Sequence, residues 1–539
     1  MIEEVGGKPV RDAAAFTQLL KEAKVRGKHP RCCWCTAAAT PSSWRCHCRS
    51  EAALQAETGS GGDSTMLRED SESSSSAPSA SSQTSGSNHA LRADPELPFL
   101  RMAWSPSQMQ EFFNLQVLPL VWPGQQVTAV TIEDMRYKAG KQCEILYSLQ
   151  CGDPTESHCR RVVVTFANEN KLRKLYRHHY GGESSTAAGP TPCPVVFLPE
   201  FGCLVEFFPR DWALPGLIHA LDPEEMAALL AQVGTEAERA RRLPTVEVLR
   251  YKLHGRCVLR YIVEAPAGGA PTEVIGKVHK SGTLAVQVAQ TLSILQPQAA
   301  AYGLIIPKPL RVIEEWGLLL MERVSGIALK PIVEQAKDPQ QLKTVMGLAA
   351  ATLVRLHCLR FESQKVRSLQ TWLEKGHGKA ASLHLVAPLL AQQADTLLRQ
   401  IGQLGARSAV APLSFIHGGF SPAQLLLEKG QIAVVDFDSS GLGDPAIDVG
   451  HFMERLHNIA VNRASNVFRQ LATDFLSEYQ ARLPEQRVAE RVHLFLSAFL
   501  VRTALHTFER RPYAYGQAGP DSLPVLLLQE AAACLNHFP

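Results

Sequence analysis

The chain has 539 residues, 45% of them apolar and 20% charged, with a formal net charge of +3 at neutral pH. That length exceeds what one hydrophobic core organises, and the ordinary apolar content excludes a fibrous or wholly disordered chain. So small a charge, with no long Lys/Arg run, gives no case for nucleic acid or an anionic membrane, and leaves a small molecule or a protein as the expected partner.

No uncharged apolar stretch reaches the ~18 to 20 residues that span a bilayer, and the first residues, MIEEVGGKPVRD, are acidic where a signal peptide is basic. A cytoplasmic location is the expectation. Residues 1–51 open the chain. The segment IEEVGGKPVRDAAAFTQLL reads as strand, Gly6-Gly7 turn and amphipathic helix, and resembles the closing part of PDZ domains of Deg-type serine proteases. It covers too little of such a domain to bury a core, so a remnant and a chance amphipathic helix both stand. Of 13 cysteines, five crowd between Cys32 and Cys48, as CCWC and CHC. These offer thiolate and imidazole ligands for zinc, or are simply reduced thiols. Residues 52–95 are rich in Ser, Gly and Ala and are expected to be a disordered linker, with folded sequence beginning near Leu97.

In the next unit, 96–245, RYKAGKQCEILY (136–147) and RRVVVTF (160–166) read as strands with a turn at Ala139-Gly140. At an offset of 114 residues, RYKLHGRCVLRY (250–261) and TEVIGKV (272–278) repeat the layout. Arg136, Tyr137, Lys138, Cys143 and Tyr147 fall on Arg250, Tyr251, Lys252, Cys257 and Tyr261. EFGCLVEFF (200–208) and EWGLLLMER (315–323) match at nearly the same offset. An internal duplication of a small β-rich lobe is therefore expected. Asp222 to Arg242 has helical spacing, an acidic first turn and a basic last turn, and reads as a spacer helix. After a second β-rich unit at 246–330, residues 331–539 turn helical, with periodicity over 332–360, 378–403, 448–482, 486–510 and 522–536.

The segment SFIHGGFSPAQLLLEKGQIAVVDFDSSGLGDPAIDVGHF (414–452) resembles the catalytic segment of aminoglycoside and choline kinases. That family carries His-Gly-Asp, an Asn after four residues, a hairpin ending in Ile-Asp-Phe or Ile-Asp-Trp, then Gly-Asp-Pro and a further Asp. Here stand His417-Gly418, Gln424, Asp436-Phe437-Asp438, Gly443-Asp444-Pro445 and Asp448. RLHCL (355–359) fits the family's Leu-His helix and LLLMERVSG (318–326) its hinge. The resemblance covers 247–539 and implies an α+β, two-lobed protein-kinase-like fold, a β-rich N-lobe before a helical C-lobe, here preceded by a duplicated N-lobe-like unit.

It also implies ATP and Mg²⁺ as cofactors and a small-molecule acceptor with a hydroxyl or amine. Phosphoryl transfer needs a carboxylate-held metal, a cation on the phosphates and a group that orients the nucleophile. Asp436, at the end of the apolar run IAVV, is the expected metal ligand, with Gln424 beside it in place of the family's Asn. Asp438 is an assisting carboxylate if the strand continues, or otherwise a solvated turn residue. Lys277 is expected on the phosphates, and Glu322 and Val324 offer backbone groups to adenine. His417, Asp444 and Asp448 are read as structural, Asp448 as the cap of the helix that follows.

Three departures stand out. Gly419 occupies the position of the family's catalytic Asp, and losing such a base costs about 10² to 10⁴ in rate. Gln424 is one methylene longer than Asn. No acid follows Lys277 in SGTLAVQVAQTLSILQ, leaving Gln287 or Gln290 as its expected partners. Thr165 aligns with Lys277, so the first repeat reads as a degenerate lobe that regulates or braces the second. Two readings follow, an ATP-dependent phosphotransferase and a pseudokinase that acts as a nucleotide-binding or scaffolding module.

Overall fold

A computed structural model of the protein describes residues 4–5, 8–9, 90–152, 158–181, 194–232, 243–264, 271–335, 338–363, 366–408 and 411–538. The PDZ-like helix, the Cys32–Cys48 cluster and most of the Ser-rich linker lie outside these residues.

The first folded unit opens with two short helices, α1 (Leu100–Ala103) and α2 (Pro106–Phe112), the second capped by the Ser105 hydroxyl. Three strands follow, β1 (Val127–Lys138), β2 (Gln142–Cys151) and β3 (His158–Ala167). Then come helix α3 (Glu169–Tyr180) and strands β4 (Val195–Leu198) and β5 (Cys203–Phe207). They form one antiparallel sheet in the order β1-β2-β3-β5-β4. Strand β2 is buried along nearly its whole length: Ile145, Tyr147 and Leu149 join the core with Met109 and Phe112 of α2, and Leu146 on the other face packs on Leu253.

The second unit repeats this plan. Helices α4 (Leu217–Leu221) and α5 (Pro223–Leu230) precede β6 (Thr245–Lys252), β7 (Arg256–Val263) and β8 (Thr272–His279). Helix α6 (Gly282–Ala301) and strands β9 (Pro309–Ile313) and β10 (Leu318–Glu322) complete it. The sheet order, β6-β7-β8-β10-β9, is that of the first unit. In register, Cys143 faces Phe166 and Glu144 faces Thr165, while Cys257 faces Val278 and Val258 faces Lys277. Thr165 therefore occupies the place of Lys277, as aligned from sequence.

The likeness extends upstream of the strands. At an offset of 117 residues, Asp94, Leu97, Pro98, Leu100, Ala103, Pro106 and Met109 fall on Asp211, Leu214, Pro215, Leu217, Ala220, Pro223 and Met226. The helix expected as a spacer is thus the counterpart of α2. It ends at Leu230 among the described residues, and it packs with Leu214, Leu217 and Ala220 on the second sheet. Order also begins earlier than the expected linker boundary at 95. Arg92 N–H donates to Val386 O at 2.9 Å, and Asp94 is buried. One anchoring carboxylate at the end of a polar run carries too little pattern to be separated from a linker.

Beyond the second sheet lie α7 (Leu329–Gln335), α8 (Pro339–His357), α9 (Leu369–Leu383) and α10 (Pro388–Gly405). The helical lobe then continues with α11 (Ala446–Asn462), α12 (Val467–Arg482), α13 (Val492–Arg510) and α14 (Leu523–Leu535). The expected helix 448–482 is two helices, broken where Ala464 adopts φ +48. Helix α13 is the centre of the lobe, packed by α11, α12's neighbour, and by α14. Between α10 and α11 the chain forms β11 (Ser414–Ile416), the hairpin β12 (Leu425–Glu428) and β13 (Gln431–Val434), and β14 (Gly441–Gly443). This is the two-lobed, kinase-like arrangement, with mixed helix and antiparallel sheet.

Candidate functional site

Strand β13 is apolar and buried through Val434, and the chain then leaves the strand. Asp436 takes a left-handed conformation, φ +74, and Phe437–Ser439 form a single 3₁₀ turn. The condition set for Asp438, a continuing strand, is not met. The left-handed residue followed by the tight turn instead brings both carboxylates to one side.

There they meet the second sheet. Lys277, centred in β8 between Val258 of β7 and Leu319 of β10, has a buried side chain. Its Nζ donates to Asp436 Oδ1 at 2.5 Å and to Asp438 Oδ1 at 2.6 Å. Its partners are these aspartates, and not Gln287 or Gln290 of α6. Arg256, the first residue of β7, closes the opposite side, with its guanidinium 2.7 Å from Asp436 Oδ2 and 3.3 Å from Asp438 Oδ2. Burial alone would raise the Asp436 carboxyl, but Lys277 and Arg256 hold it well below the usual carboxylate range. His279, two residues beyond Lys277, lies 3.8 Å from Asp438 Oδ2. Burial pushes its imidazole down to about 4, so it is neutral at physiological pH.

Arg256 and His279 were not legible as site residues. Arg256 stands beside the turn glycine Gly255, but its partners are 180 residues away in sequence. His279 is on the same face as Lys277, two positions along one strand, which is the signal that marks it.

The loop after β11 is held from beneath. Asp448 is fully buried and accepts from His417 N at 2.6 Å and Gly418 N at 2.8 Å, with His357 Nε2 at 3.2 Å. Its expected role as a cap of the following helix is corrected: it lies inside α11 and its oxygens are taken by the loop. Asp444 does the capping, accepting from Ala446 N at 2.9 Å while Arg491 Nε reaches its other oxygen at 2.8 Å. His417 Nε2 is 3.0 Å from Val435 O, which ties the loop to the hairpin. Gly418, at φ +72, would place a Cβ 2.1 Å from Ser439 O, so no side chain fits there.

Gly419 is different. Its φ is not positive, and an added Cβ would meet only His417 Nδ1, at 3.7 Å. That nitrogen is buried and has no hydrogen-bond partner among the described residues. Gln424 ends a 3₁₀ turn before β12, and its amide oxygen accepts from the Ser421 hydroxyl. Glu322 ends β10 with an exposed side chain beside Lys308, and its N–H donates to Lys308 O at 2.9 Å. Val324 follows in the connection after β10, outside any helix or strand.

Residues 254–497 match the family described as the phosphotransferase enzyme family. Among curated proteins, acyl-CoA dehydrogenase family member 11 of Homo sapiens is 23% identical over 257 residues, 43% of this chain and 31% of that protein. The Pongo abelii protein of the same description matches equally. The chain spans about a third of the length of these relatives. Among solved structures, an ethanolamine kinase of Plasmodium vivax is 11% identical, with a TM-score of 0.41 over 60% of this chain and 95% of that one. A choline/ethanolamine kinase family protein from Mesorhizobium loti is 16% identical, with a TM-score of 0.37 over 58% and 93%. Aminoglycoside phosphotransferase APH(2'')-Ib, in an ADP-bound structure, is 13% identical, with a TM-score of 0.35 over 58% and 96%. Over residues 254–497 the chain therefore carries the pattern of the phosphotransferase enzyme family, on a two-lobed kinase-like fold.

Proposed function

We propose that the second sheet and the helical lobe bind Mg-ATP between Lys277 and Asp436 and transfer its terminal phosphoryl group to a hydroxyl or amine of a small molecule. The observation that carries this reading is the meeting of Lys277 with Asp436 and Asp438, an ammonium and two carboxylates from different lobes within 2.6 Å. Two carboxylates and the Gln424 amide are an all-oxygen donor set of the kind Mg²⁺ takes. A bound magnesium ion would neutralise charge on the phosphates. Asp436, Asp438 and Gln424 would hold it, Lys277 would bind phosphate oxygens, and the backbone at Glu322 and Val324 would face the base. His417 and Asp448 keep the loop in place.

A second reading has its own support. Gly419 offers no group to orient an acceptor, and Arg256 already occupies the carboxylate oxygens that a metal needs. On this reading the module is a pseudokinase that binds nucleotide, or only scaffolds. The first sheet would be the degenerate copy of a duplicated unit, braced against the helical lobe and regulating the second. No helix among the described residues is long and apolar enough to cross a membrane, and a cytoplasmic location belongs to the same proposal.

The test is thermal melting of the full chain with and without Mg-ATP, in wild type and Asp436→Ala. The phosphotransferase and nucleotide-binding readings expect a rise in Tm that the variant loses. No rise in either protein would leave the scaffold.

A further inference from the structure

Away from the two aspartates, a cavity of about 400 Å³ opens where the two sheets and the helical lobe meet. The first sheet supplies Arg136 and Lys138 from the end of β1, and Lys141 from the turn after it. The second sheet supplies Lys252 from the corresponding end of β6 and Lys280 from just past β8. Helices α9 and α13 close the space with Lys379 and Arg510. Seven basic side chains thus line one cavity with two carboxylates, Asp134 and Glu509.

Both carboxylates are already engaged. Arg510 lies 2.7 Å from Asp134 Oδ1, and Lys379 pairs with Glu509. Arg136 reaches Glu144, at 3.5 Å. Lys138, Lys141, Lys252 and Lys280 have no ion-pair partner among the described residues. Lys138 and Lys252 are half-buried, where less water screens like charges from one another, while Lys141 and Lys280 are exposed at the rim. Burial, with Arg256, Arg510 and Arg250 nearby, brings Lys252 down to about 8. Lys138 and Lys280 are lowered too, by burial first and then by Arg136. Such a gathering opposes folding, and local violations of this kind mark sites kept for a ligand.

We propose that this cavity binds a small molecule carrying at least two phosphate groups, at a site separate from the Lys277–Asp436 cleft, and that the first sheet is retained because it completes this site. The ligand class follows from the charge. Each phosphate brings nearly two negative charges to one position, so a pair of them matches four unpaired lysines, whereas a carboxylate brings one. Geometry adds to this, since the equivalent ends of β1 and β6 present Lys138 and Lys252 to the same space. The inference stands independently of whether Lys277 and Asp436 hold a nucleotide.

Isothermal titration of the full chain tests it, with sodium pyrophosphate and, separately, Mg-ATP as probes. The proteins are wild type, Lys138→Gln/Lys252→Gln, Lys138→Arg/Lys252→Arg, and Asp436→Ala. Pyrophosphate is expected to bind wild type, the Arg pair and Asp436→Ala alike, and the Gln pair at least about tenfold more weakly, a difference of about 1.4 kcal/mol. Removing two mutually repelling charges should leave the Tm of the unliganded Gln pair at or above that of wild type, which separates lost binding from lost folding. Three results overturn the proposal: no pyrophosphate binding to wild type, undiminished binding to the Gln pair, or binding that changes, in either direction, in Asp436→Ala and not in the Gln pair. The last would assign the anion to the nucleotide cleft.

Discussion

Arg256 lies 2.7 Å from Asp436, so the carboxylate best placed to hold a metal is already met by a cation from the turn of the second sheet. With Lys277 on the other side, every oxygen of Asp436 and Asp438 has a positively charged neighbour. A metal ion can join this cluster only if the guanidinium withdraws. Arg256→Gln is therefore expected to raise the Tm gained on adding Mg²⁺ alone, while the metal-free variant loses about 1.5 to 3 kcal/mol of stability, the worth of a hydrogen bond to a charged group. Melting curves across a Mg²⁺ series check both. An unchanged response to Mg²⁺ would show that Arg256 does not compete for the site.

Gly419 tests how much of the catalytic apparatus is lost. There is room for a Cβ, and the nearest atom is the unpartnered His417 Nδ1. Gly419→Asp should therefore fold with a Tm close to that of wild type. Hydrolysis of ATP is expected to rise, by up to about 10² to 10⁴ if a positioned base is the only missing part. Undetectable turnover in a folded variant that binds Mg-ATP would favour the pseudokinase reading.

What could be read in advance followed from chain-local pattern. Lys277 lies within a short apolar strand and Asp436 two residues beyond another, and the left-handed conformation at Asp436 completes their meeting. Asp438 has two readings, an assisting carboxylate on a continuing strand or a solvated turn residue; it lies in a turn and still meets Lys277, since a left-handed residue at 436 is not visible in period-2 alternation. Arg256 escaped because its role is set by partners 180 residues away. The likeness between the two sheets is legible first in their strands. Its helical part matches at an offset of 117 residues and its strands at 114, so three residues lost between them hide the upstream half from a comparison at one offset. The cavity was invisible for a similar reason: its lysines are scattered over four elements, and their summed charge is diluted in a chain of net charge +3.

Glu206 predicts a pH dependence of stability. It is fully buried in β5, with Oε1 accepting from Tyr180 Oη at 2.5 Å and Trp212 N at 2.9 Å. Its other oxygen has no hydrogen-bond partner among the described residues. Burial raises its carboxyl from 4.5 to about 7. Between those values the folded chain holds a proton that the unfolded chain has released. The contribution is thus complete below about 4.5 and is lost as pH rises through about 7. Urea unfolding at intervals from pH 5 to 8 should show stability falling with pH, and Glu206→Gln should flatten that fall. An identical slope in the variant would place its origin elsewhere.

Asp94 and Asp211 offer a direct test of whether the two units are built alike. Asp94 Oδ2 accepts from Tyr137 Oη at 2.7 Å and Gly140 N at 2.8 Å, and Oδ1 accepts from Glu96 N at 3.0 Å. Asp211 Oδ2 accepts from Tyr251 Oη at 2.7 Å, and Oδ1 accepts from Ala213 N at 2.8 Å and faces His254 Nδ1 at 2.7 Å. Each carboxylate thus pins the helical opening of its unit to the first hairpin turn of its own sheet, through tyrosines that occupy equivalent positions. Removing either leaves a buried tyrosine hydroxyl and a turn without their acceptor. Asp94→Ala and Asp211→Ala are each expected to cost on the order of 3 kcal/mol, read as a fall in the urea midpoint at constant m. If Asp94→Ala were neutral while Asp211→Ala was costly, the first sheet would not depend on its anchor, and residues 90–95 would behave as the linker that their composition first suggested.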